Sequence, residues 1–489
     1  MIEDQDTKTG IEMAESLKKK TVKGVAWTSL NQVLNMGFGF VIGVILARIL
    51  SPDDYGLLAM IAVFNAIATS FIDSGFGSAL VRKPDLTEDD NTTAFCFNLI
   101  VGVVMFGIIW LIAPWVSSFY DKPVLTSLLR AEGSLLIITA LIIVQSTQLT
   151  RALNFKALMI TNIVSQVLAG VIAIIAAYNG FGVWSLVIQH ISSRMISLVL
   201  FWIISPWRPQ GKWRKDSFRY LWGYGSKLLA SGLLDKIYGN IYPIIIGKFY
   251  SAADLGQYTR AKGYAGLPSQ TLTGVLQQVT FPVLSHIQGD TERLGNSYRR
   301  MLRFTVFIVF PVMIGMAALA HPLVITLVTD KWSQCVPYLQ IICFSSMWYP
   351  VHAINLNLLQ VKGRSDLFLR LEIIKKVIVT VVVFVSVPFG ILGICYGAVF
   401  TSLACLAINT YYTGKLINVG FVRQMLDMTP TLLASLAMGA VVYLAVMPFD
   451  SDWVKLAVGV PLGLVIYLAI AKVFRMPELK EALDIIHRR

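Results

Sequence analysis

The sequence predicts an all-α polytopic membrane protein of about fourteen transmembrane helices. They are expected as two pseudo-symmetric six-helix lobes around a central cationic cavity, with two further helices at the C-terminus. Three observations carry this expectation. Of 489 residues, 56% are hydrophobic and only 14% charged, whereas soluble domains hold roughly 25% charged residues. Apolar runs of about 20 residues, long enough to cross a bilayer as a helix, recur from Val25 almost to the C-terminus. The third observation is an internal repeat with an offset near 200 residues.

The expected spans fall near 24–47, 55–80, 92–116, 131–149, 157–178, 182–204, 219–247, 255–284, 300–320, 336–358, 367–387, 391–413, 426–448 and 453–473. Turn residues mark the short connections, as in Ser51-Pro52-Asp53-Asp54-Tyr55-Gly56 and Asn179-Gly180. A barrel is excluded because barrel strands alternate over roughly ten residues and these runs do not. No loop has room for a soluble domain. Residues 1–22 are polar, and the run after Lys23 lacks a cleavage site, so no signal peptide is expected.

The repeat is read from three matches in order. Arg48-Ile49-Leu50-Ser51-Pro52-Asp53-Asp54-Tyr55-Gly56 overlays Lys248-Phe249-Tyr250-Ser251-Ala252-Ala253-Asp254-Leu255-Gly256. Ala113-Pro114 with Asp121-Lys122 overlays His321-Pro322 with Asp330-Lys331, and Gly180-Phe181-Gly182 overlays Gly390-Ile391-Leu392-Gly393. The same loop recurs after an even number of helices, so the repeat is parallel. Transporters built this way bind substrate between lobes and rock them for alternating access. The organisation that follows is a cytoplasmic N-terminal segment 1–23, an N-lobe 24–204 and a basic cytoplasmic linker 205–218. A C-lobe 219–413, helices 13 and 14 over 426–473 and a cytoplasmic tail 474–489 complete it.

The net charge of +13 follows from loops enriched in Lys and Arg. With both termini in the cytoplasm, most of these cations fall on the cytoplasmic side, as the positive-inside rule requires. No basic–aromatic module accompanies them, so nucleic acid is not an expected partner. Cys96, Cys335, Cys343, Cys395 and Cys405 form no C-x-x-C pair, and no metal site is expected. Nucleophile-elbow, Walker A, zincin and dinucleotide motifs are absent, so the chain reads as a non-enzyme.

Function is expected where polar groups enter apolar helices. A charge near the bilayer centre costs roughly 2.5–3.5 kcal/mol, and it normally faces a wet cavity or a partner. Lys227, Asp235, Lys236, Arg260 and Lys262 all fall inside or at the rims of the spans 219–247 and 255–284. Lys236 with Asn240, Arg260 with Tyr264, His190 with Arg194, and Asn31 with Asn35 are each four apart and share a helix face. Asn35 overlays Asp235 in the repeat, and Asn65 lies mid-span. Lys227 is close enough to the cytoplasmic rim to snorkel. Fixed cations suit an anionic ligand, and the Arg fork matches phosphate oxygens. The candidate cavity set is therefore Lys236, Arg260, Asn31, Asn35, Asn65, Asn240, Tyr264, Gln270, Lys227 and Arg194. Asp235 is the candidate for coupling to a proton or sodium ion, and no other cofactor is expected.

With those residues in hand, the chain resembles the Wzx-type polysaccharide flippases of the multidrug/oligosaccharidyl-lipid/polysaccharide exporter superfamily. The likeness is greatest to the branch holding colanic acid and teichuronic acid exporters, and runs from about Lys18 to Leu416. It rests on Leu50-Ser51-Pro52-Asp53-Asp54-Tyr55-Gly56, Asp73-Ser74-Gly75-Phe76-Gly77-Ser78-Ala79-Leu80-Val81 and Phe119-Tyr120-Asp121. Ser205-Pro206-Trp207-Arg208-Pro209, Leu255-Gly256-Gln257-Tyr258 and Phe281-Pro282-Val283-Leu284-Ser285 add to it. The resemblance implies a bacterial inner-membrane flippase for undecaprenyl-diphosphate-linked oligosaccharide repeat units in surface polysaccharide synthesis. It also implies membrane lipids, polysaccharide polymerase and glycosyltransferases as partners. Relatives carry several cavity arginines, where the first helix here has Asn31 and Asn35. A small-molecule exporter of the same architecture is the alternative, with a membrane glycan polymerase or ligase and an assembly scaffold behind it. A cation-drug pump should show a net acidic cavity, which Lys236 and Arg260 oppose.

Overall fold

A computed structural model describes residues 2–487; Met1 and Arg488-Arg489, the end of the expected tail, lie outside the described residues. The described residues are almost entirely helical and contain no strand. The helices are α1 Ile2–Ile49, α2 Pro52–Asp73, α3 Phe76–Arg82, α4 Glu88–Tyr120, α5 Val124–Arg151, α6 Phe155–Tyr178, α7 Trp184–Ile204, α8 Lys215–Gly239 and α9 Ile241–Phe249. They continue as α10 Ala252–His286, α11 Thr291–Ala318, α12 Ala320–Val328, α13 Cys335–Ser346, α14 Tyr349–Val361, α15 Ser365–Ser386 and α16 Gly390–Ile417. The last three are α17 Phe421–Val446, α18 Asp452–Val473 and α19 Pro477–His487.

Among the described residues, ten helical stretches are long and apolar enough to cross a membrane. One of them, Asp366–Ile417, holds both α15 and α16. The expected spans 219–247, 255–284 and 336–358 do not qualify. The first two carry Lys227, Asp235, Lys236, Arg260 and Lys262 along their lengths, which lowers their hydropathy. The third is two short helices, because the chain breaks between α13 and α14 at Met347-Trp348. Large apolar side chains such as Leu111, Ile203 and Val473 stand exposed on the outer faces of their helices. Lipid is the medium that covers such surfaces.

Two compact bodies divide the chain, one ending at Ala253 and the other beginning at Asp254. The division falls after α9, whereas the repeat places the lobe boundary at 205–218. Packing accounts for the difference, since α8 lies against α2, α3 and α4.

In the first body, Ser51 caps α2 with a reciprocal box to Asp54, Pro52 opens the helix, and Thr87 caps α4 with Asp90 in the same way. Each box satisfies two N–H groups that a helix start otherwise leaves unpaired. The expected span 55–80 is broken at Asp73–Gly77 into α2 and α3. Ser74 (φ 28°) and Gly75 (φ 72°) end α2 and start α3, and a β-carbon on Gly75 would touch Leu228 of α8. Around that break Phe76, Leu80, Phe95, Trp207 and Leu221 form a buried core. Ile42 and Leu46 of α1 pack with Ala173 and Ala177 of α6 in a second.

The basic segment 205–214 is fixed along its length. Trp207 Nε1 donates to Glu88 (2.7 Å), and the backbone N–H groups of Gly211, Lys212 and Arg214 donate to Thr92, Asp89 and Thr93. In the second body, α11 packs on α13 and α17, and α17 on α18. Asn355, Thr413, Gln424 and Tyr298 form a buried hydrogen-bonded network among α14, α16, α17 and α11. Buried polar groups are tolerated in this way only when each finds a partner.

Candidate functional site

The candidate residues fall on both bodies. On the first, Lys227, Asp235 and Lys236 are exposed on α8 and follow it toward its end. The helix does not continue to Phe249 as one rod, as the span 219–247 implied. Asn240 interrupts it as the cap of α8, with its Nδ2 donating to the Lys236 carbonyl at 2.7 Å. Lys236 forms no ion pair among the described residues, so its ammonium is left for solvent or a ligand. Adjacent Asp235 points elsewhere, as consecutive helical residues must.

Asn31 and Asn35 share a face of α1 as expected. Asn35 Nδ2 donates to both the carbonyl and the side-chain oxygen of Asn31. Gln166 of α6 joins them, its Nε2 donating to the Asn35 carbonyl at 2.9 Å. Gln166 was not singled out in the sequence; an i+4 search along one helix cannot find a partner on another. Asn65 sits on α2 with its buried Oδ1 unsatisfied. Arg194 is exposed on α7. His190, one turn away, lies with its Nδ1 at 2.9 Å from Glu132 Oε1 on α5, another residue the sequence reading passed over.

On the second body, α10 carries Arg260, half-buried, Tyr264, buried and so not open to a cavity as its place in the candidate set implied, and Gln270. The guanidinium of Arg260 lies 5.2 Å from the ring centroid of Trp332 and 5.7 Å from that of Tyr264. Trp332 is fully buried, so it gives the guanidinium a fixed aromatic neighbour. Such cation–π contacts strengthen as water is excluded. The Trp332 turn is tied to the same helix by Gln257, whose Nε2 donates to the Lys331 carbonyl at 2.7 Å. Leu255-Gly256-Gln257-Tyr258 thus supports the arginine from one turn below. Gln270 is exposed nearly three turns beyond Arg260.

Lys375 pairs with Glu372, three residues before it on α15. The five cysteines are free thiols, four of them buried.

A family model described as "Polysaccharide biosynthesis protein" matches residues 45–337. The lipopolysaccharide biosynthesis protein WzxC of Escherichia coli K12 is 23% identical over 442 residues, covering 87% of this chain and 89% of that one. The succinoglycan biosynthesis transport protein ExoT of Rhizobium meliloti is 24% identical over 492 residues, 98% of each chain. Among solved structures, the lipid II flippase MurJ in an inward closed conformation aligns with TM-score 0.75 at 13% identity, covering 93% of this chain and 98% of that one. That likeness bears on the fold, and it spans both bodies.

Proposed function

The chain belongs to the polysaccharide biosynthesis protein family, and from that membership we propose that it is a flippase for a lipid-linked oligosaccharide. It carries undecaprenyl-diphosphate-linked repeat units from the cytoplasmic to the outer leaflet of the bacterial inner membrane, by alternating access between two lobes and without covalent chemistry. Both termini lie in the cytoplasm, and the glycosyltransferases and polymerase of the same polysaccharide act before and after it.

One observation carries this reading: cations stand on α8 and α10, helices of membrane length in a transporter fold. Diphosphate is a doubly anionic ligand that needs positive charge when it leaves water. Lys236 supplies a mobile ammonium, and Arg260, beside Trp332 and Tyr264, a guanidinium whose fork suits two phosphate oxygens. Asn31, Asn35, Asn65, Asn240 and Gln270 line the sugar path in this scheme, with Lys227 and Arg194 nearer its ends. The prenyl chain stays in lipid, where transfer costs nothing.

The test is a strain lacking the gene, complemented by native chain or by Lys236→Ala or Arg260→Ala at matched membrane abundance. Native chain should restore surface glycan, and each variant should lose most of it while lipid-linked repeat units accumulate inside. Surface glycan that persists without the gene would overturn the assignment. Full export by both variants would instead favour a scaffold whose basic loops, not its cations within the helices, do the work.

A further inference from the structure

We propose that Glu132 of α5 and His190 of α7 form a proton-binding site within the first body, and that its occupancy is coupled to transport. The inference rests on the transport reading but uses none of the residues assigned to the substrate.

Glu132 and His190 lie about 12 Å and about 9 Å along their helices from the ends that begin them, at 1.5 Å per residue. Both α5 and α7 belong to stretches apolar enough to cross a membrane, so the pair sits within two apolar helices and not in a loop. Glu132 is 4% exposed, and His190 Nδ1 lies 2.9 Å from its Oε1. The His190 side chain is 47% exposed, so the pair opens to its surroundings through the imidazole. Next to Glu132 on α5, Gly133 lies against Phe106 and Ile109 of α4, which a β-carbon there would touch.

Few other charges reach this place. Arg130 is turned onto Trp110, its guanidinium 4.5 Å from that ring. Arg194 stands one turn beyond His190 on α7. α4 carries no titratable side chain between Cys96 and Tyr120, α2 none between Tyr55 and Asp73, and α6 none between Lys156 and Tyr178. α3 contributes only Arg82, beside the far end of α5.

The charge count explains why a proton belongs here. With no added proton the pair is a carboxylate beside a neutral imidazole, net −1 in an apolar wall. With one proton it is carboxylate and imidazolium, net zero, joined by a charge-assisted hydrogen bond. A net charge among apolar helices costs several kcal/mol where water is absent and little where water enters. A conformation that dries the pair therefore favours the protonated state, and one that wets it releases the proton. Differential affinity of two conformations for one ligand is what coupling requires.

Two measurements test this on the full-length protein in liposomes. The first is infrared difference spectroscopy through a pH titration, with no substrate present. Native protein should show a titrating imidazole signal that is lost in His190→Gln and shifted in Glu132→Gln, with both variants monodisperse and at native abundance. The second is translocation of a synthetic undecaprenyl-diphosphate-linked oligosaccharide with and without a pH gradient. The gradient should accelerate native protein and leave Glu132→Gln unaffected, at unchanged substrate binding. An unaltered imidazole titration in Glu132→Gln, or retained gradient dependence, overturns the site. Failure of native protein to move the probe at all defeats the transport reading and the coupling with it, whereas the spectroscopy still decides the proton site.

Discussion

The carbonyl oxygen of Ala252 lies 1.7 Å from the point where a β-carbon on Gly56 would stand. Position 56 therefore admits only glycine, and it closes the turn motif that the repeat duplicates at Ser251–Gly256. Gly56→Ala forces α2 and the start of α10 apart. We expect sharply reduced membrane abundance and a lowered unfolding midpoint in detergent, measured by fluorescence-detected size exclusion after heating. The same change at Gly37, where a β-carbon meets nothing within 4 Å, should leave both unchanged.

Arg260 is held by a ring as well as by its charge. Arg260→Ala should lose most export, and Arg260→Lys should restore only part of it, because an ammonium neither stacks on Trp332 nor presents a planar fork. Surface glycan at matched abundance reads both. Full rescue by lysine would show that charge alone suffices.

Arg299 and Asp427 form a two-bond pair, both contacts 2.6 Å, between α11 and α17. Asp427 is 7% exposed on its side chain, so Asp427→Ala leaves a half-buried guanidinium without its anion. Breaking a buried pair costs about 3–5 kcal/mol, and the partial exposure of Arg299 places this one toward the lower figure. The unfolding midpoint should fall, and removing Arg299 in the same chain should recover part of the loss.

Arg151 at the end of α5 donates to the backbone carbonyls of Leu80, Lys83 and Pro84, at 2.9, 2.6 and 2.8 Å. It joins the end of α3 and the turn after it to α5. Lysine can reach one of these oxygens at best, so Arg151→Lys should destabilise by about 1–3 kcal/mol through the acceptors left unpaired. Amide hydrogen exchange across 80–87 should speed up while exchange in the middle of α4 does not.

What was legible from sequence is local. Apolar length shows the spans because hydrocarbon imposes it, and Asp73-Ser74-Gly75 shows the α2 break because only such residues accept φ > 0 there. The i+4 relation between Asn31 and Asn35 was visible for the same reason. The Glu132–His190 contact was not: it joins residues 58 apart on different helices, and no periodicity encodes it. Arg260 was visible as a charge out of place, but the ring that holds it, Trp332, lies 72 residues away in a turn. The division at Met347-Trp348 escaped too, since an apolar run reads alike whether one helix or two short ones use it.

The anchoring of residues 205–214 to the start of α4 has a practical outcome for mapping this protein. Arg208, Lys212 and Arg214 are trypsin targets by type, yet three backbone N–H groups and the Trp207 side chain tether the segment along an adjoining helix. A protease must draw about ten residues into an extended strand before it can cut. Digestion of intact vesicles would thus spare this stretch from either side, and its survival would say nothing about which face of the membrane it occupies.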